Sequence, residues 1–271
     1  MAHMAHYESD SERRYKPCQV LSGNQVACAI WFEDTLHHYG VPTILFDLYL
    51  LVQDIDEAAE LLVKAGWVID SQGPHTIGNA EVELPQKRLI FPSSQAITVL
   101  LPAQEWKFSL MADSASDGTS LTTEGTSLTT DGTSLTTDGT SLTTDDTSLT
   151  TDDTPLTTES SPENVFFPPL PGFLDALIES WLDCPCDDGM LLIHLACQIS
   201  YLYAYAPALK QRSFAERMKY EHRQFHFDVL AGMQIGTIPF RKHERAIRDA
   251  LLQGQYELRE CSMSCDNEEI P

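Results

Sequence analysis

Between residues 119 and 160 the chain repeats a seven-residue unit six times, as TSLTTEG, TSLTTDG, TSLTTDG, TSLTTDD, TSLTTDD and TPLTTES. This run decides where a core can form. A coiled coil needs two apolar positions per seven and helix-forming neighbours, whereas each unit offers one Leu among Thr, Ser, Gly and acidic residues. Thr and Ser side chains compete for backbone hydrogen bonds. A single Leu per unit does not offset an ordering cost of roughly 1 to 2 kcal/mol per residue. Residues 111–163 are therefore expected to be a disordered, acidic Thr/Ser-rich insert, read as a repeat-expanded loop in preference to a phosphorylated or partner-binding tail. Folding is left to the segments on either side.

The insert also distorts the charge balance. The net charge is -23, but residues 111–163 hold eleven Asp or Glu and no Lys or Arg, so the remainder stands near -12. Phosphate neutralisation needs a net basic face, which makes nucleic acid an unexpected partner. The start, MAHMAHYESDSERRYK, has no apolar signal region, and the longest apolar stretch, MLLIHLACQISYLYAYA, is interrupted by His194 and Gln198. No membrane span is expected, and a cytoplasmic or nuclear location is. Seven cysteines without a secretory signal read as reduced thiols. Neither Cys184-Pro-Cys186 nor Cys261-x-x-x-Cys265 has the paired spacing of a zinc site.

On the N-terminal side, residues 1–24 read as a flexible tail and 25–110 as an α/β domain. ACAIWFEDTLHHYG reads as a helix stopped by Gly40, and Pro42 then leads into the strand TILFDLYLLV. Asp54 or Asp56 opens a second helix with Ala58, Leu61, Leu62 and Ala65 on one face. WVID, KRLIF and AITVLL follow as short strands. On the C-terminal side, residues 164–259 read as helices packing on the α/β domain, and 260–271 as an acidic tail. Phe173, Leu174, Leu177, Ile178, Trp181 and Leu182 form one stripe, residues 189–206 a second, buried helix, and RSFAERMKYEHRQFHFDVLAGM and FRKHERAIRDALLQG two more. The fold class is α/β (α+β), with a mixed sheet flanked by helices and an all-helical C-terminal part.

YGVPTILFDLYLLV followed by DIDEAAELLVKAGWVID resembles the nucleotidyltransferase superfamily, in particular its minimal, toxin-like and antibiotic-modifying branches, over about forty residues. In that family a helix begins at a Gly-Gly or Gly-Ser pair and leads through an Arg-x-Thr turn into a strand carrying Asp-x-Asp. Alternate strand residues share a face, so two carboxylates there hold divalent cations against a nucleotide's phosphates. The resemblance implies the fold and a nucleotide-sized cleft, with Asp47 at the first metal position. Tyr49 stands at the second, Phe32-Glu33 at the glycine pair and Thr43 at the Arg. A third carboxylate, expected from a later strand, has its best match near Thr98, where none is present.

One carboxylate does not replace two or three in a Mg²⁺ site. Three readings stay open. The first is a nucleotidyltransferase-like protein that has lost two-metal catalysis and binds a nucleotide or a protein partner. The second is an active, Mg²⁺-dependent enzyme recruiting Glu33 or Asp54, and the third an interaction protein with no ligand in the cleft. Asp54 and Asp56 are better read as helix caps than as metal ligands. His222-x-x-x-His226 with Asp228 puts two imidazoles on one helix face without a third ligand partner, and reads as hydrogen-bonding histidines. Residues 210–248 hold nine of the seventeen Lys and Arg. Interleaved Glu216, Glu221, Glu244 and Asp249 make these ordinary solvated or salt-bridged faces, available to pair with the acidic α/β half.

Overall fold

Every residue of LYLLV, Leu48 to Val52, is buried, so this strand must be covered on both faces. The computed structural model describes residues 13–71, 73, 75–92, 96–110, 166–185 and 189–263. The insert at 111–163 and residues 264–271 of the acidic tail lie outside the described residues. Seven strands form: β1 (Cys28–Trp31), β2 (Leu48–Val52), β3 (Val68–Ile69), β4 (Thr76–Ile77), β5 (Ala80–Glu81), β6 (Lys87–Ile90) and β7 (Ile97–Pro102). Five make a mixed sheet in the order β1-β2-β7-β6-β3, and β4 and β5 make a separate hairpin. β2 and β7 run parallel, while the other neighbours in the sheet are antiparallel.

The period of two along each strand sorts side chains into two cores. Cys28, Ile30, Leu48, Leu50, Val52 and Leu100 face α1 (Lys16–Gly23) and α3 (Ile55–Lys64), meeting Cys18, Leu21, Ala58, Ala59 and Leu62. Ala29, Trp31, Tyr49, Leu51, Val99 and Leu101 face the C-terminal helices α4 (Leu170–Asp183) and α5 (Met190–Tyr205). At that seam the Trp31 and Phe173 rings pack edge to face with centroids 4.8 Å apart. The two sequence segments flanking the insert thus supply opposite covers of one sheet.

Several expectations need correction. Residues 16–23, read as part of the flexible tail, form α1, because Cys18 and Leu21 are needed to cover the sheet. Only the second half of ACAIWFEDTLHHYG is helical, as α2 (Glu33–His38). Cys28–Trp31 is a strand buried throughout, because its neighbour β2 outweighs a helical pattern that is ambiguous over four apolar residues. The strand read over 43–52 begins only at Leu48, which leaves Asp47 just outside it. α5 is half-exposed, with Met190, Ile193, Tyr201 and Tyr205 open to solvent. Arg212–Arg217 and Tyr220–His222 form tight 3-10 turns before α6 (Arg223–Leu230) and α7 (Ile238–Leu252).

The basic residues of α7 serve the helical part itself. Arg241 is buried and donates to the carbonyls of Trp181, Leu182 and Cys184, and Arg245 donates to Leu182. Arg248 pairs with Glu179 at 3.0 Å and Asp183 at 2.7 Å. Guanidinium groups therefore satisfy the last carbonyls of α4 and complement its dipole. The same helix holds Asp175 and Glu179 against buried His222, at 2.8 Å from Nδ1 and 2.8 Å from Nε2 respectively.

Burial alone would lower the His222 pKa, but the bonds to Asp175 and Glu179 outweigh it and raise it above the ordinary 6.5. Its contribution to stability is complete below that ordinary value and is lost as pH rises through the raised one. The His222 bond holds Glu179 below the ordinary 4.5, so the contribution of Glu179 is lost as pH falls through that depressed value. Replacing His222 by Gln should cost about 3 kcal/mol near pH 6, as for a buried pair broken on one side. Paired urea denaturations of the two proteins should show this difference shrinking as pH rises through the raised His222 value.

Candidate functional site

Asp47 closes the loop that enters β2, at the point where β1 gives way to α2 and where β6 lies one strand beyond β7. Three of the four residues singled out in the sequence meet here. Glu33 opens α2, and Tyr49 is the second residue of β2. The charges of Glu33 and Asp47 both act on the Tyr49 hydroxyl, so the three share one environment. Thr43 does not join them. It stays in the preceding loop, where its hydroxyl has only a 3.5 Å contact with the carbonyl of Ile44.

The strand-to-helix step at Phe32 is strained. Phe32 has φ 52° and ψ -123°, in a region that glycine occupies freely and other residues reach at a cost of about 1–3 kcal/mol. What holds it there is its ring, which is fully buried and packs edge-on against Tyr49, Trp106 and His194 at centroid distances of 5.2, 4.9 and 5.3 Å. Burying such a ring contributes about 1.5–3 kcal/mol, before any aromatic pairing. Tyr49 is itself buried, and its hydroxyl accepts a hydrogen bond from the Gly78 N–H at 3.1 Å, in the β4–β5 turn. Phe32 and Tyr49 together fill the space beside Asp47.

The charges are paired inside the protein. Arg88, on β6, reaches across β7 to place Nη2 3.1 Å from Asp47 Oδ2, and its Nε lies 4.0 Å from Asp70. Arg14 grips buried Asp34 with two bonds of 2.6 and 2.7 Å and donates to the carbonyls of Phe46 and Asp47. Glu33 lies 3.9 Å from His194, and its Oε2 is buried with no hydrogen-bond partner among the described residues. Burial pushes the Glu33 carboxyl up to about 7, and the charges of Asp34 and Asp47 add to that. Burial lowers His194 to about 4, so both members of that contact favour their neutral forms.

Two further positions named in the sequence lie away from this corner. Thr98 pairs with Leu48 and shares its face of the sheet, turned away from Asp47 and Tyr49. The row that Tyr49 occupies continues through Val99 to Arg88, so the later strand presents a guanidinium to this corner. Asp54 caps α3, accepting from the N–H groups of Asp56 and Glu57 at 2.8 and 3.1 Å, at the far end of β2 from Asp47. It cannot join Glu33 and Asp47 in one acidic site. The histidine pair of EHRQFHFD is also separated, since His222 sits between Asp175 and Glu179 while His226 bonds Tyr203 and the Gln211 carbonyl.

Arg88, Arg14 and His194 were missed in the sequence. Arg88 carried a weak signal, as the second of two adjacent cations opening the short strand KRLI; Arg14 carried none, lying in what read as tail. A cavity of about 520 Å³ opens elsewhere, lined by Leu84, Trp106, Asp183, Met190 and their neighbours, and it includes none of Glu33, Asp47 or Tyr49. Among the described residues no helix is long and apolar enough to cross a membrane. Comparison of the chain with protein-family models, with curated proteins and with solved structures finds no match.

The Glu33 carboxyl supplies a test of this arrangement. Below the ordinary value of 4.5 its burial costs nothing, because the unfolded chain is protonated too. As pH rises from there to about 7 the unfolded state ionises first and the folded state loses stability. Replacing Glu33 by Gln should therefore stabilise the protein increasingly over that window, by up to about 3 kcal/mol at 1.36 kcal/mol per pKa unit. Thermal melts of both proteins at the two ends of the window check it.

Proposed function

We propose that the protein is a nucleotidyltransferase-like binding protein that lacks two-metal catalysis. The observation that carries this reading is the pairing of Asp47 with Arg88. A carboxylate already neutralised by a guanidinium is a poor ligand for a dication, and a positive charge at that corner repels one. The conformation of Phe32 supports the resemblance itself. The residue in the register of the family's glycine pair takes backbone angles suited to glycine, between a strand and a helix, yet carries a ring that fills the space a nucleotide would need.

An active enzyme with replacement carboxylates is less well supported. Asp54 is engaged as a helix cap, and Glu33 is half neutral near pH 7. A protein partner is favoured over a nucleotide by the loop before Asp47, where Ile44 and Phe46 are 70% and 69% exposed. Arg14 holds that loop through the carbonyls of Phe46 and Asp47, so the two apolar side chains are presented from fixed backbone. Pre-organised apolar anchors of this kind suit protein recognition.

Calorimetric titration with Mg²⁺ or Mn²⁺ and each nucleoside triphosphate, run beside a pyrophosphate-release assay, tests the reading. The expected result is no turnover in either the wild type or Asp47→Asn. Pyrophosphate release that Asp47→Asn abolishes would establish the enzyme instead.

A further inference from the structure

α6 and α7 bring Asp228, His243 and Glu244 together, each offering a donor atom within 4.8 Å of the others. Asp228 and Glu244 are buried, at 0% and 2% exposure, which separates them from the acidic clusters common on protein surfaces. Asp228 is held rigidly, accepting from Gln224 Nε2 at 2.9 Å, Ser262 N at 2.7 Å and Ser262 Oγ at 2.5 Å. The same Ser262 hydroxyl lies 2.7 Å from His243 Nε2. Glu244 Oε1, by contrast, is buried with no hydrogen-bond partner among the described residues. A purely structural network would leave that oxygen desolvated and unsatisfied. It would also keep Asp228 and Glu244 side by side away from water only with a proton shared between them, the place a cation would take.

We propose that Asp228, His243 and Glu244 form a binding site for a divalent transition-metal ion, with Zn²⁺ the best fit. Two carboxylates and one imidazole are a mixed oxygen and nitrogen donor set, and the imidazole selects against Mg²⁺ and Ca²⁺. Three protein donors leave a fourth tetrahedral position beside the Ser262 hydroxyl for water or that hydroxyl itself. Donors on one Zn²⁺ lie about 3.3 Å apart at ordinary bond lengths of about 2.0–2.1 Å. The donors here need close in by no more than about 1.5 Å to reach that spacing, and His243, which is not fully buried, can supply the movement. A dication would engage the orphaned Glu244 oxygen and offset the facing carboxylates. The site is independent of the corner at Asp47.

The test uses the full chain, stripped with a chelator, desalted and titrated with Zn²⁺ by calorimetry beside His243→Ala and Glu244→Gln. The wild type should take up one equivalent more than either variant, and Zn²⁺ should raise its melting temperature while leaving that of His243→Ala unchanged. Because the chain also has seven cysteines, Co²⁺ substitution reports the donors, and the equivalent in question should lack thiolate-to-metal charge-transfer absorption. His243→Ala removes a half-buried ring and keeps Asp228 and its bonds, so it serves even where Glu244→Gln fails to fold. Equal stoichiometry and affinity in the wild type and His243→Ala would overturn the proposal, as would absence of Zn²⁺ uptake or a thiolate spectrum for the differing equivalent.

Discussion

A strand buried on both faces cannot be stabilised by either half of this chain alone. β2 sends Leu48, Leu50 and Val52 to one side and Tyr49 and Leu51 to the other, and burial of each such side chain contributes on the order of 1.5–3 kcal/mol. α1 and α3 cover the first side from the N-terminal segment. The second side waits for α4 and α5, which follow the repeat region. The arginines of α7 belong to the same requirement, because a helix packed end-on against other elements must have its last carbonyls satisfied before it can be buried.

The corner at Asp47 is closed by packing and by charges paired inside the protein. Phe32 accepts an unfavourable backbone conformation because its ring joins Trp106, Tyr49 and His194 in one aromatic cluster. Arg88 and Arg14 use their guanidinium groups on Asp47, Asp34 and nearby carbonyls. Groups that could have faced a ligand face each other. Strain next to a buried aromatic ring marks a position where one requirement, glycine-like backbone, and another, a filled core, meet in a single residue.

Much of the architecture could be read in the sequence, and the reasons for the misses are physical. The stripe Phe173, Leu174, Leu177, Ile178, Trp181 is long and periodic, and it appears as α4; the Asp54 cap has its own local chemistry and appears where expected. CAIW was read as helix because four apolar residues have no distinguishable period, and only the pairing with Tyr49 to Val52 decides the matter. Long-range pairs were invisible. Nothing local to Asp47 announces Arg88, and Glu244, read as part of a solvated face, is buried against Asp228 from another helix. The i, i+4 histidines are hydrogen-bonded as expected, but their partners, from α4, α5 and a turn, had no local signal either.

The division of the sheet's two covers across the insert has a consequence during synthesis. When Pro102 has left the ribosome, Trp31, Tyr49, Leu51, Val99 and Leu101 can already assemble on the sheet, yet the first residue of α4 is Leu170. At about 5–20 residues per second the intervening stretch takes several seconds to make. For that interval the nascent chain presents a half-finished sheet with one apolar face bare. Each added repeat unit lengthens the interval, so repeat number sets how long that face waits for its cover, and a chaperone that shields an apolar sheet face would act on the same step.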